Sequence, residues 1–302
     1  MALCSICRPL RQNTHCALGW FFMQKQTFCC KANDFQEDEI RKKLSVFSGG
    51  SIDLQKQESG MAVMTINNPA RMNAFSGSMM IQLEERISDL ETWTEGKGLI
   101  VRGSAGTFCS GSDLNAVRAI SNPEDGMKMC MFMQKTLTRL LRLPLISVAL
   151  VEGKALGGGA ELTTACDFRL MTSDAVIQFV HKHMGLVPGW GGAARLVRIV
   201  GSQNTLQLLA GAKKVDPDFG KHIGLVDGVL PTVAGNFLVD TEQWLSQFTK
   251  GSAPVIRAMK KVVLCGRELS LDDALTTERR VFGTVWGGPA NLEALAFKTK
   301  HK

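Results

Sequence analysis

The sequence predicts an α/β fold: a core of alternating strands and helices, followed by a helical subdomain. Three observations predict it. Short apolar runs alternate with segments of helical period through the first two thirds of the 302 residues. From Asp216 onward the periods are mainly helical. Between these regions lies an apolar run, Leu145 to Val151, that breaks into Gly157-Gly158-Gly159 and then Glu161, the pattern of a buried strand feeding a glycine turn and a helix.

Residues 34–48 carry apolar side chains at 35, 40, 44 and 47, close to a helical period, and the segment stops at Gly49-Gly50. Ile52 to Gln57 and Met61 to Ile66 flank Glu58-Ser59-Gly60 and read as a β-hairpin ended by Asn67-Asn68-Pro69. Met79, Met80, Leu83, Ile87 and Leu90 mark the apolar face of a helix from Ser76 to about Trp93. Gly98 to Arg102 is a short buried strand, and residues 103–113 form a loop of small residues. A helix over 123–142 is expected to turn Met127, Cys130, Met131, Leu137, Leu140 and Leu141 inward. After Glu161 the helix runs to Cys166, and 168–171 and 175–180 read as strands. Two helices follow Pro188, one reaching Val200 and one over 202–209, with further helices at 232–248, 254–265, 270–285 and 289–299. The expected organisation is therefore an N-terminal extension over 1–48, flexible, an α/β core over 49–231 and a helical C-terminal subdomain over 232–302.

With 45% hydrophobic and 21% charged residues, the chain belongs to the ordinary globular class and holds no apolar stretch long enough for a membrane helix. The formal charge of +7 is spread along the sequence without a dense basic run, so no nucleic-acid partner is expected, and a small polyanionic ligand explains the charge equally well. Cys109, Cys130, Cys166 and Cys265 sit among small or apolar neighbours, as reduced, packed thiols do. Cys4 and Cys7 with His15 and Cys16 lack a second pair at a finger-like spacing, and no metal site is expected. The first 33 residues contain Arg8, Arg11, Lys25 and Lys31 and no acid, the composition of a mitochondrial presequence without its sustained amphipathic face.

The glycine turn is the stretch that carries chemistry. Amides at the start of a helix have no partner within it, and residues without a Cβ let another molecule approach them. Such a turn holds negative charge, or it permits close helix-on-strand packing with Glu161 at a favourable helix N-terminus. The residues of the turn alone leave both readings open.

The order of four motifs resolves this by resemblance. Asn68-Pro69-Ala70-Arg71-Met72-Asn73-Ala74, Thr107 to Leu114, Ala155 to Leu162 with Cys166-Asp167, and Gly185 to Gly192 together resemble the crotonase, or enoyl-CoA hydratase/isomerase, superfamily over about residues 50–300. The resemblance implies a spiral of ββα turns closed by C-terminal helices, assembled as a homotrimer or homohexamer. It implies an acyl-CoA thioester as ligand and no cofactor beyond it. Carried over by position, the amides of Ser110 and Gly158 form an oxyanion hole, and the backbone around Ala74, Ser112, Asp113 and Leu114 holds CoA, with Lys298 a further candidate for phosphate.

Hydratases of this family use two glutamates. Glu161 fills the first position, and an ungapped count places His181 at the second. One acid beside an intact oxyanion hole resembles the decarboxylase branch of the family, which implies loss of CO2 from a 2-alkylmalonyl-CoA such as the ethyl or methyl compound, in a metabolite-repair role. Loss of CO2 pushes electrons into the thioester, and a proton must then reach the carbanion. Glu161 is the better donor if an apolar pocket raises its pKa, with His181 the alternative; His183 reads as an ordinary hydrogen-bonded histidine. A hydratase or isomerase and a non-catalytic acyl-CoA-binding protein are the competing classes. Trp190, Trp286 and Gly287-Gly288-Pro289 depart from the family pattern near the end of the acyl pocket. The decarboxylases it resembles imply a cytosolic location, the N-terminal composition a mitochondrial one.

Overall fold

Ser51–Lys56 (β1), which alternates apolar and polar residues, and Met61–Asn67 (β2), which is buried almost throughout, close into the expected antiparallel hairpin in the computed structural model of the protein, which describes residues 37–231 and 236–297. The next strands, Gly98–Gly103 (β3) and Ile146–Val151 (β4), are buried almost throughout, as strands covered on both faces are. With Phe168–Thr172 (β6) and Gly228–Leu230 (β8) they continue the sheet in parallel, in the order β1-β2-β3-β4-β6-β8. Helices make the crossovers. Gly77–Glu91 (α2) leads into β3, started by Ser76, whose Oγ accepts the Met79 amide. Leu114–Ala119 (α3) and Pro123–Arg142 (α4) lead into β4.

A second layer positions the site. Lys154–Leu156 (β5) pairs in parallel with Val176–Gln178 (β7). Single bridges extend this pair on both sides: Phe75 to Ser112, Cys109 to Ala155 and Ile177 to Val215. Each turn of the spiral thus contributes one strand to the large sheet and a short extended segment to this stack. Gly158–Thr163 (α5) starts where β5 ends, and Gly192–Ala210 (α6) follows β7. Gly201, at φ 76° and ψ 166°, divides α6 into the two helices expected from the sequence.

Several expectations change. The first described helix, Glu37–Ser45 (α1), belongs to the folded body and not to a flexible extension, because Ile40 and Leu44 are fully buried. Its polar face is tied to α2 and α4 by Arg41–Glu84, Lys43–Asp125 and Lys128–Glu39. On α4, Met127 is exposed, and Phe132, Met133 and Thr136 join Leu137, Leu140 and Leu141 inside. Strand β8 and the helix Pro217–His222 (α7) lie in a stretch read as mainly helical; β8 is three residues long, too short for a periodicity to show.

The helix Phe237–Thr249 (α8) lies on the large sheet, where Leu245, Phe237, Trp244 and Phe248 pack against Ile100, Val148 and Leu170. It therefore completes the core instead of opening a separate subdomain. Ala253–Glu268 (α9) is fastened to the same sheet by buried Lys260, which bonds Asp167. Leu271–Val285 (α10) and Pro289–Ala296 (α11) end the described chain. Among the described residues no helix is long and apolar enough to cross a membrane.

Candidate active site

The site is built at the rungs of the second layer. Gly158 opens α5, so its amide has no acceptor in its own helix, and no acceptor for it is found elsewhere among the described residues. The neighbouring rung is the Thr107–Asp113 loop. Its hydrogen bonds correct the expected oxyanion pair. The Ser110 amide donates to the Met72 carbonyl at 3.0 Å and is not available to a ligand. Gly111, at φ 101°, breaks the alternation of the strand, as a β-bulge does. After that break Phe75 donates to the Gly111 carbonyl and accepts from the Asp113 amide, so the Ser112 amide points the other way, toward the start of α5. Neither the Ser112 amide nor the Gly158 amide has an acceptor among the described residues. An ideal Cβ on Gly111 would lie 3.2 Å from the Gly158 nitrogen, so glycine keeps this space open.

Glu161 lies one turn into α5 and is 1% exposed. Polar donors surround its carboxylate. Its Oε1 accepts the Gly189 amide at 3.3 Å, and its Oε2 accepts the amides of Trp190 at 2.9 Å and Gly192 at 2.7 Å. His181 Nε2 completes the set at 2.9 Å from Oε1, carried on the 3-10 turn Val180–Met184. Two residues 20 apart in the sequence are thus brought into direct contact. His181 Nδ1 is buried and has no hydrogen-bond partner among the described residues, so the imidazole has one committed nitrogen and one free. His183 is exposed.

The loop that encircles Glu161 can approach because Gly192 lacks a side chain: an ideal Cβ there would stand 2.8 Å from Glu161 Oε2. Arg195, one turn into α6 and buried, fixes the loop from behind. Its Nε donates to Thr164 Oγ1 at 2.9 Å, and its Nη2 to the carbonyls of Trp190 at 2.9 Å and Glu161 at 3.3 Å. Burial pulls its guanidinium down to about 10, opposed by the charge of Glu161, and it stays cationic at neutral pH. The buried thiols of Cys109 and Cys166 are pushed up to about 12 by desolvation, which makes them packing groups at neutral pH.

The residues expected at CoA gather at the mouth. Ala74 is buried, Leu114 is exposed, and Asp113 caps α3 through Asn115 N at 2.8 Å. Arg71 reaches Asp113 at 3.3 Å across the opening. Next to them lies a pocket of about 240 Å³ lined by Asn68, Arg71, Ser76, Asp113 and Asn115, with Val46 to Gly49 closing it from the end of α1. Met72 and Asn73, which border this mouth, both hold left-handed backbone, φ 50° and 56°. Lys298 and the Cys4, Cys7, His15 and Cys16 group lie outside the described residues. Among the described residues no group of His, Cys, Asp and Glu is arranged to hold a metal ion. Sequence reasoning missed Ser112 as a hole amide, the amides of 189–192 and Arg195; the run Gly189-Trp190-Gly191-Gly192 was the visible sign of a loop closing on something.

Known proteins place this arrangement. The enoyl-CoA hydratase/isomerase family model matches residues 56–288. Ethylmalonyl-CoA decarboxylase of Danio rerio is 68% identical over 300 residues, covering 98% of this chain and 97% of that protein. The protein of the same name from Homo sapiens is 60% identical over 270 residues, with 89% and 88% covered. Enoyl-CoA hydratase from Mycobacterium smegmatis superposes with a TM-score of 0.76 at 24% identity, covering 81% of this chain and 94% of that one. The corresponding hydratase from Bacillus anthracis gives 0.75 at 23% identity, with the same two shares covered. These two structures share the fold, a crotonase-like spiral with helices at its C-terminal end. By the span of the family match and the identity of its relatives, the chain belongs to the enoyl-CoA hydratase/isomerase family.

Proposed function

We propose that the protein is a carboxy-lyase that removes CO2 from ethylmalonyl-CoA and releases butyryl-CoA, with methylmalonyl-CoA as a second substrate. The observation that carries the mechanism is the Glu161–His181 contact: the position where a hydratase has its second carboxylate is filled by an imidazole bonded to the first. Relatives at 60–68% identity that bear the name ethylmalonyl-CoA decarboxylase support the choice of substrate.

The thioester oxygen lies on the amides of Ser112 and Gly158. Breaking the bond between C2 and the carboxylate leaves its electron pair on C2, delocalised onto that oxygen as an enolate. Two amides aimed at the developing charge supply the main stabilisation, and loss of one such donor typically costs ~10²- to 10³-fold in rate. The thioester is its own electron sink, so the step calls for no group beyond CoA. His181, as imidazolium, donates through Nε2 to Glu161 and through Nδ1 to C2 of the enolate, which becomes butyryl-CoA. Glu161 orients the ring and balances its charge; both of its oxygens face donors, so it acts as an acceptor and not as the acid. Solvent returns the proton to Nδ1, and each turnover consumes one proton.

The assembly we propose is a homotrimer or homohexamer. Leu271, Trp286, Leu292, Leu295 and Phe297 are all exposed on and around α10 and α11, apolar surface of the kind that subunit contacts cover. Light scattering on the purified protein tests it: a monomer at micromolar concentration contradicts the assembly. We place the reaction in the cytosol as repair of an acyl-CoA carboxylated by mistake; a fluorescent fusion of the full chain that enters mitochondria contradicts that location.

The function is tested by supplying purified protein with ethylmalonyl-CoA, methylmalonyl-CoA and crotonyl-CoA and following the products by mass. The expected result is one CO2 and one butyryl-CoA per ethylmalonyl-CoA, with slow or no hydration of crotonyl-CoA. Rapid hydration without CO2 release contradicts it.

A further inference from the structure

The largest side chain in the wall of the site sits in a run of glycines, and its backbone and ring are held from four sides. Trp190 is 3% exposed. Its amide donates to Glu161 Oε2 at 2.9 Å, and its carbonyl accepts from Arg195 at 2.9 Å. Its six-membered ring covers Gly158: an ideal Cβ on that glycine would lie 2.8 to 3.0 Å from Cζ3, Cη2 and Cε3. Phe75 stands edge-on behind it, ring centroids 5.7 Å apart and planes at 83°. On the other side of the loop, an ideal Cβ at Gly189 would meet Cys130 Sγ at 2.6 Å, so the backbone there has no room to retreat.

We propose that Trp190 is the residue that sets the length of acyl chain this enzyme accepts, by closing the pocket beyond the oxyanion hole as a fixed wall. A thioester oxygen on the Ser112 and Gly158 amides puts C2 beside the Glu161–His181 pair. The carbons beyond C2 then run toward the loop that bonds the same carboxylate, where the indole stands. The ring cannot swing aside without losing Phe75, and the backbone cannot shift without breaking the bonds to Glu161 and Arg195. A rigid apolar wall discriminates by exclusion, and one methylene at such a wall is worth ~10- to 200-fold. An ethyl branch fits in front of the indole and a long chain does not. The polar cradle and the size filter are therefore one residue, its backbone serving the carboxylate and its ring the substrate.

The inference rests on the decarboxylase reading only for the choice of branch, so its test uses ligands that do not react. Calorimetric titration of the full chain with butyryl-CoA and octanoyl-CoA gives the size preference directly. The expected result is that the wild type binds butyryl-CoA at least ~100-fold tighter than octanoyl-CoA, and that Trp190→Ala narrows the gap to less than ~10-fold. Trp190→Phe, which keeps a ring against Phe75, is expected to narrow it by about 10-fold and serves where the alanine variant does not fold, as judged by circular dichroism. Equal binding of the two ligands by the wild type, or an unchanged ratio in either folded variant, overturns the proposal. Absence of decarboxylation in the wild type contradicts the functional reading and leaves these binding ratios to decide the wall on their own.

Discussion

The cradle around Glu161 and the mouth around Arg71 are both formed by loops of the short layer, and they are finished to different degrees. In the cradle each carboxylate oxygen has its donors, the supporting cation is buried, and glycines admit the close approaches. At the mouth, Arg71 is more than half exposed, its charge partner among the described residues is Asp113 at 3.3 Å, and Met72 and Leu114 stand in solvent. The difference is physical economy of two kinds. A reacting centre gains from groups already in place, because reorganisation at the moment of reaction raises the barrier. A binding mouth gains its contacts when the ligand arrives.

That contrast is broken most severely by removing the cradle's polar pair. Glu161→Ala is expected to lower kcat by about 10³-fold with little change in KM, since it releases the imidazole that serves as general acid, and such catalysis typically contributes ~10²- to 10⁴-fold; steady-state kinetics with ethylmalonyl-CoA checks it. Next in size, Gly192→Ala places a methyl 2.5 Å from Glu161 Cγ, so the loop must retreat and its amides with it. We expect a kcat loss of about 10²-fold and ~1–3 kcal/mol of stability, read by activity and denaturant unfolding. Leu44→Ala leaves the site alone and removes a fully buried anchor of α1, and a loss of ~2–5 kcal/mol in the same unfolding experiment is expected. The smallest effect belongs to the mouth: Arg71→Ala is expected to raise KM about 5- to 10-fold with kcat nearly unchanged, as loss of a contact made equally in the ground and transition states does. A fall in kcat instead would place Arg71 with the reacting groups and erase the contrast.

Much of this was legible because it is local. The glycine turn, the hairpin, the helical faces of α2 and α4, and the spacing that pairs Glu161 with His181 follow from periods and counts along the chain. The engagement of the Ser110 amide and the freedom of the Ser112 amide were not, because a single glycine at positive φ, Gly111, shifts which amides are bonded, and a count of residues does not register a bulge. The character of the Glu161 environment was also hidden. Its donors are backbone amides from a loop 28 to 31 residues away, and backbone groups leave no mark in the residue types. Arg195 drew no notice in the sequence, and the packing of α6 against α5 turns it inward.

The central claim is that His181 delivers the proton to the carbon that loses CO2. Decarboxylation of ethylmalonyl-CoA in D2O, with the butyryl-CoA analysed by NMR, tests it most directly. The account predicts a single deuterium at C2 in one configuration from the wild type, and from His181→Ala a rate lower by about 10²- to 10³-fold with deuterium distributed over both configurations. A His181→Ala enzyme that keeps the wild-type rate and the single configuration contradicts it.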